Sequence, residues 1–109
     1  MKVDQVRELI RVQSADNLTA TNDHSITLEQ ALVTPRKISV IVQLVKGTRM
    51  EDQKLNVWLV GQEDSSGGYR IIMSDDGLQF GLAHSAALAD EHVDFVGWYG
   101  DLVSAFLSM

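Results

Sequence analysis

Ile71-Ile72-Met73-Ser74-Asp75-Asp76-Gly77-Leu78-Gln79-Phe80-Gly81-Leu82 is the stretch whose reading decides the fold. Two strand-like runs flank Asp76-Gly77, a dipeptide that tolerates the positive φ a two-residue type I′ turn demands twice. With residues 76 and 77 as the loop, Asp75 faces Leu78, Met73 faces Phe80 and Ile71 faces Leu82, so large apolar side chains meet on one face of a hairpin. The opposite face then carries Arg70, Ile72 and Ser74 beside Gln79 and Gly81. Turn chemistry and burial pattern therefore point to the same register.

Upstream, the period of two continues. Ile38, Val40, Val42 and Leu44 line one face of a strand that begins at Lys37, with Ser39, Ile41, Gln43 and Val45 on the other. A second strand covers about residues 54 to 62, where Leu55, Val57 and Leu59 alternate with Asn56, Trp58 and Val60, and the polar loop Glu63-Asp64-Ser65-Ser66-Gly67-Gly68 ends it. A third runs from about Tyr69 to Ser74. Both faces of this sheet are apolar, so each needs a cover.

Helical spacing appears at both ends of the chain. Val3, Val6, Leu9 and Ile10 form a stripe over about residues 3 to 13, with Asp4, Arg7, Glu8 and Arg11 opposite. Residues 14 to 26 are dense in Ser, Thr, Asn and Asp and read as a loop. Thr27-Leu28-Glu29-Gln30 matches a capping box opening a short helix, which Pro35 ends near Thr34. Residues 83 to 92 are a connection with helical character after Ser85. Val93 to Trp98 alternates like a strand, although Val93, Val96, Tyr99, Val103 and Phe106 also fit helical spacing; a short strand is the reading, followed by a final helix over about Asp101 to Leu107 with Asp101 as its cap. Gly97 and Gly100 make one continuous helix through this region costly.

The 109 residues, of which 45% are hydrophobic and 22% charged, suit one soluble globular domain over residues 1–109. A net charge of -6 and scattered basic residues, with Arg36-Lys37 the one adjacent pair, exclude nucleic acid and anionic lipid as natural partners. Zero Cys excludes a disulfide scaffold, a thiolate metal site and a cysteine nucleophile. Charges interrupt the apolar stretch a signal peptide needs in Met1 to Glu8, and no apolar run approaches the ~18 residues of a membrane span. The expected setting is cytoplasmic.

No motif assigns a chemistry. Neither a G-x-S-x-G elbow nor a phosphate-binding glycine loop occurs. Asp23-His24-Ser25 is adjacent in sequence and reads as polar loop, and Gly97-Trp98-Tyr99-Gly100 puts bulky aromatics where a nucleotide-gripping loop needs room. Asp90-Glu91-His92-Val93-Asp94, with His84, holds usable ligand types in a spacing that matches no metal site, so a hydrated acidic turn accounts for it. No catalytic residue, cofactor or metal is expected.

The architecture expected is α+β: an antiparallel β-meander of four to five strands packed against an N-terminal helix and a C-terminal helix. This order of elements resembles the cystatin-like folds, a resemblance of element order that carries no site residues. The apolar surplus on the sheet predicts a non-enzymatic interaction or regulatory module. It would self-associate as a homodimer through a sheet face or an exposed strand edge, or meet another protein, with Trp58, Trp98, Tyr99 and Phe106 as anchors. Two alternatives come from other classes. One is a small-molecule binder or enzyme with a pocket between curved sheet and helices, lined by Trp58, Tyr69, Arg70 or His84; the other is an acidic inhibitor of a basic protein.

Overall fold

The computed structural model describes residues 1–46, 49–64, 67–85 and 93–109. Helix α1 is Val3–Ser14, followed by α2 (Leu28–Ala31), strands β1 (Leu32–Lys46), β2 (Arg49–Asp64), β3 (Gly67–Ser74), β4 (Phe80–Ser85) and β5 (Asp94–Gly100), and helix α3 (Leu102–Leu107). The strands pair antiparallel in sequential order, giving the meander between two terminal helices that the sequence predicts.

The local signals act as their chemistry requires. Gln30 N–H donates to Thr27 Oγ1 at 3.2 Å and Thr27 N–H to Gln30 Oε1 at 2.9 Å, closing the capping box of α2. Asp101 caps α3 by accepting from Ser104 N–H at 2.8 Å, and that bond holds its carboxyl below the usual range. In α1, Val6 and Ile10 are buried and Leu9 is half-buried, while Val3 stays exposed.

The register of the β3–β4 hairpin is the expected one, with Met73 opposite Phe80 and Ile71 opposite Leu82, but its turn is different. Only Gly77 takes a positive φ, at 77°, and Gly77 N–H donates to Ser74 O at 2.9 Å. The reversal is therefore a four-residue loop over Asp75 to Leu78 in place of a two-residue type I′ turn. Both loops are centred between residues 76 and 77, so both give the same pairing. The longer loop wins because Asp76 organises it: its Oδ1 accepts from Ser74 Oγ at 2.6 Å and from Leu78 N–H at 3.0 Å.

Those bonds, first the Ser74 hydroxyl and then the Leu78 amide, hold the Asp76 carboxyl below its ordinary value. A carboxyl depressed in the folded state adds stability above its unfolded pKa of about 3.9, which is lost as pH falls through the folded value. Acid unfolding followed by far-UV circular dichroism should therefore show Asp76→Asn losing less stability than the parent below pH ~4. Parallel acid profiles would mean that the carboxylate contributes nothing to the turn.

Pro35 ends no helix. Helix α2 stops at Ala31 and β1 starts at once, five residues ahead of its expected start at Lys37, with Pro35 inside it. Proline can occupy a strand where it owes no ladder bond. Here it lies in the irregularity between Leu32, opposite Gly61, and Arg36, opposite Leu59. Strand β2 begins five residues before the expected 54, and β5 settles Val93 to Trp98 as strand. The expected helical character after Ser85 lies outside the described residues.

The sheet curls until its ends meet: Ile41 N–H donates to Val93 O at 2.8 Å, and Ile41 pairs in parallel with Asp94. A closed five-stranded barrel results. Closure supplies the cover that a two-sided apolar sheet needs. Ile38, Val40, Val57, Leu59, Ile72 and Ala83, with Phe95 and Trp98 beside them, form a cluster drawn from all five strands and no helix, which is the barrel interior. The alternate residues, Trp58, Val60, Ile71, Met73, Phe80 and Leu82, pack outward beneath Val6 and Ile10 of α1, Leu28 of α2, and Leu102 and Phe106 of α3.

Candidate functional site

Strands β1 and β2 outrun the barrel. From Ile41, opposite Lys54, to Lys46, opposite Arg49, they form a two-stranded arm, and Ile41 is the last β1 residue to meet β5. Strand β3 joins β2 only from Val57, opposite Ser74. The outer edge of β2 from Arg49 to Asn56 therefore faces no strand among the described residues. At about 3.4 Å per residue this edge is roughly 27 Å long, a row of backbone donors and acceptors that no strand among the described residues meets. Asp52, Gln53, Lys54, Leu55 and Asn56 are exposed along it. The described chain measures 46 × 30 × 22 Å.

At the foot of this edge, beside the Ser74 end of β3, lies a shallow depression of about 460 Å³. Leu55, Val57 and Trp98 form its apolar wall, and Asn56, Asp75 and Asp76 its polar one. Trp98 is half-buried and leans on Phe95, with ring centroids 5.2 Å apart. Asp75 is ion-paired with Lys37, whose ammonium also sits 5.0 Å from the centre of the Trp58 ring. On the far side of the arm, where β1 parts from β5, Ile41, Val42, Asp94, Phe95 and Val96 line a crevice of about 400 Å³.

The four expected anchors occupy different environments. Trp58 is 6% exposed beneath the helices, its Nε1 without a hydrogen-bond partner among the described residues, and Phe106 is fully enclosed in the same cluster. Tyr99 is exposed on β5. Trp98 alone of the four lines the depression beside the free edge.

The four expected pocket residues also separate. Tyr69 faces His84 across β3–β4 on the helix side, their rings edge to face at 5.1 Å. Arg70, next along β3, is buried and alternates to the other side of the sheet. Trp58 lies toward the opposite end of β3, level with Met73. The Tyr69 group gains two residues that the sequence did not mark. His24, from the loop after α1, meets the Tyr69 ring at 5.9 Å and pairs through Nδ1 with Glu63 Oε1, while Glu63 Oε2 accepts from Tyr69 N–H at 3.0 Å. Their separation in sequence left no local signal.

The free edge, by contrast, had one. Because β1 is apolar as far as Val45, its partner in a hairpin has to start near Met50 rather than at residue 54. Among the described residues no three or more His, Asp or Glu are placed to hold a metal ion, and Asp90, Glu91 and His92 of the acidic turn lie outside them. No helix among the described residues is long and apolar enough to cross a membrane. Comparison of the chain with known protein families, curated proteins and solved structures finds no match, so the site is read from its own geometry.

Proposed function

We propose that this protein is a non-enzymatic interaction module that self-associates as a homodimer through the arm formed by β1 and β2. The observation that carries the reading is the outer edge of β2 from Arg49 to Asn56, which has no neighbouring strand among the described residues. An isolated two-stranded ribbon is marginally stable in water, and an added strand satisfies its open backbone groups. Both apolar faces of the barrel sheet are covered within the chain, so the strand edge is the route to association. A cytoplasmic setting belongs to this reading, since a chain without cysteine draws no disulfide stabilisation from an oxidising compartment.

Light scattering on a sizing column across the micromolar range tests it. The expected mass is twice that of the chain, falling toward one chain on dilution. A single-chain mass at every concentration would overturn the proposal.

A further inference from the structure

We infer that the partner on the β2 edge is a second copy of this chain, paired antiparallel about a two-fold axis through Gln53. The inference rests on the self-association proposed above and adds its register. In a symmetric antiparallel pair the axis passes through a residue that faces its own copy, because facing residues either both exchange or both withhold their backbone groups. Few centres are then available on the free edge. Centring on Glu51 or Asp52 sets an acid against itself, and centring on Lys54 sets an ammonium against itself; like charges directly opposite destabilise a sheet. Centring on Leu55 leaves one step, Lys54 opposite Asn56, before Val57, where β3 is already bound. Centring on Met50 runs off the strand at Arg49 after one step.

Gln53 remains. In that register Asp52 of each copy faces Lys54 of the other, giving two opposite-charge pairs, and Glu51 faces Leu55. Charges on an edge ordinarily guard it against pairing. Here their signs are arranged so that one symmetric register satisfies them and its neighbours repel.

A second observation agrees. The same register ends with Met50 of one copy opposite Asn56 of the other, one residue short of Val57, where Ser74, the last residue of β3, is already paired.

The chain has no native cysteine, so single cysteines report the register directly. Gln53→Cys should form an intermolecular disulfide on mild oxidation, since directly facing Cα atoms lie about 4.5–5.5 Å apart, within disulfide reach. Leu55→Cys should not, because two copies of residue 55 would lie about 14 Å apart along the strands. Lys54→Asp should weaken the dimer about tenfold, and adding Asp52→Lys should restore it to within about threefold, because the exchange rebuilds both pairs. A dimer that cross-links equally at 53 and 55, or is indifferent to Lys54→Asp, would overturn this register while leaving self-association standing. A chain monomeric by light scattering would overturn both, as would a monomer that instead captures an added extended peptide.

Discussion

Replacing Phe106 with Ala is expected to lower the free energy of unfolding by about 3–5 kcal/mol, measured by urea denaturation followed by tryptophan fluorescence. The ring is 0% exposed and sits where both terminal helices meet the barrel, among Val6, Ile10, Leu28, Leu102 and Met109. Its backbone carbonyl also accepts from the buried side chain of Asn22 at 3.5 Å, tying the loop after α1 to the C-terminal helix. Truncation leaves a cavity that three separate elements would have to move to fill. For a domain whose whole stability is about 5–15 kcal/mol, such a loss approaches global unfolding. A variant of near-parental stability that fails to dimerise would instead make Phe106 an interface residue and contradict its place in the core.

Gly81→Ala should cost about 3 kcal/mol or more, at the upper end of overpacking. A methyl at this position would stand 2.3 Å from Gly97 O and 2.7 Å from Trp98 Cε3. The first of these atoms is backbone, and Gly81 pairs with Trp98 while Leu82 pairs with Gly97, so relief requires β4 and β5 to separate. Those two strands lead the sheet to its closure at Ile41 and Asp94, and loosening them loosens the barrel. Gly97→Ala is the matched control. Its methyl would meet only the Tyr99 ring, at 3.6 Å, an ordinary contact, and the change should stay within about 1 kcal/mol. Equal losses at the two positions, read as shifts in denaturation midpoint, would refute this assignment of close approach to Gly81 alone.

The self-association reading draws on both levels of evidence. Sequence pattern raised it through an apolar surplus on both sheet faces, and the structure moves its basis to a strand edge. The surplus is consumed by closure, since Ile72 and Leu59 turn into the barrel while Ile71 and Val60 turn to the helices. What stays unpaired among the described residues is backbone, along the outer edge of Arg49 to Asn56. Exposure of side chains such as Tyr99 or Leu78 then requires no partner, because isolated apolar residues on a surface are ordinary.

Local chemistry was legible from residues alone: the capping box at Thr27 and Gln30, the cap at Asp101, the reversal at Asp76-Gly77 with its register, and which side chains of β1, β2 and β3 share a face. Each of these depends on neighbours within a few positions, or on a period that the backbone imposes by itself. What covers each face, how far the β1–β2 ribbon projects, and whether Trp58 and Phe106 lie inside or outside were decided only in three dimensions. Periodicity assigns a residue to a side of its strand, whereas burial depends on what the rest of the chain brings against that side. Here the deciding contact is one backbone bond between Ile41 and Val93, residues far apart in sequence, which turns a sheet needing an outside cover into a barrel that supplies its own.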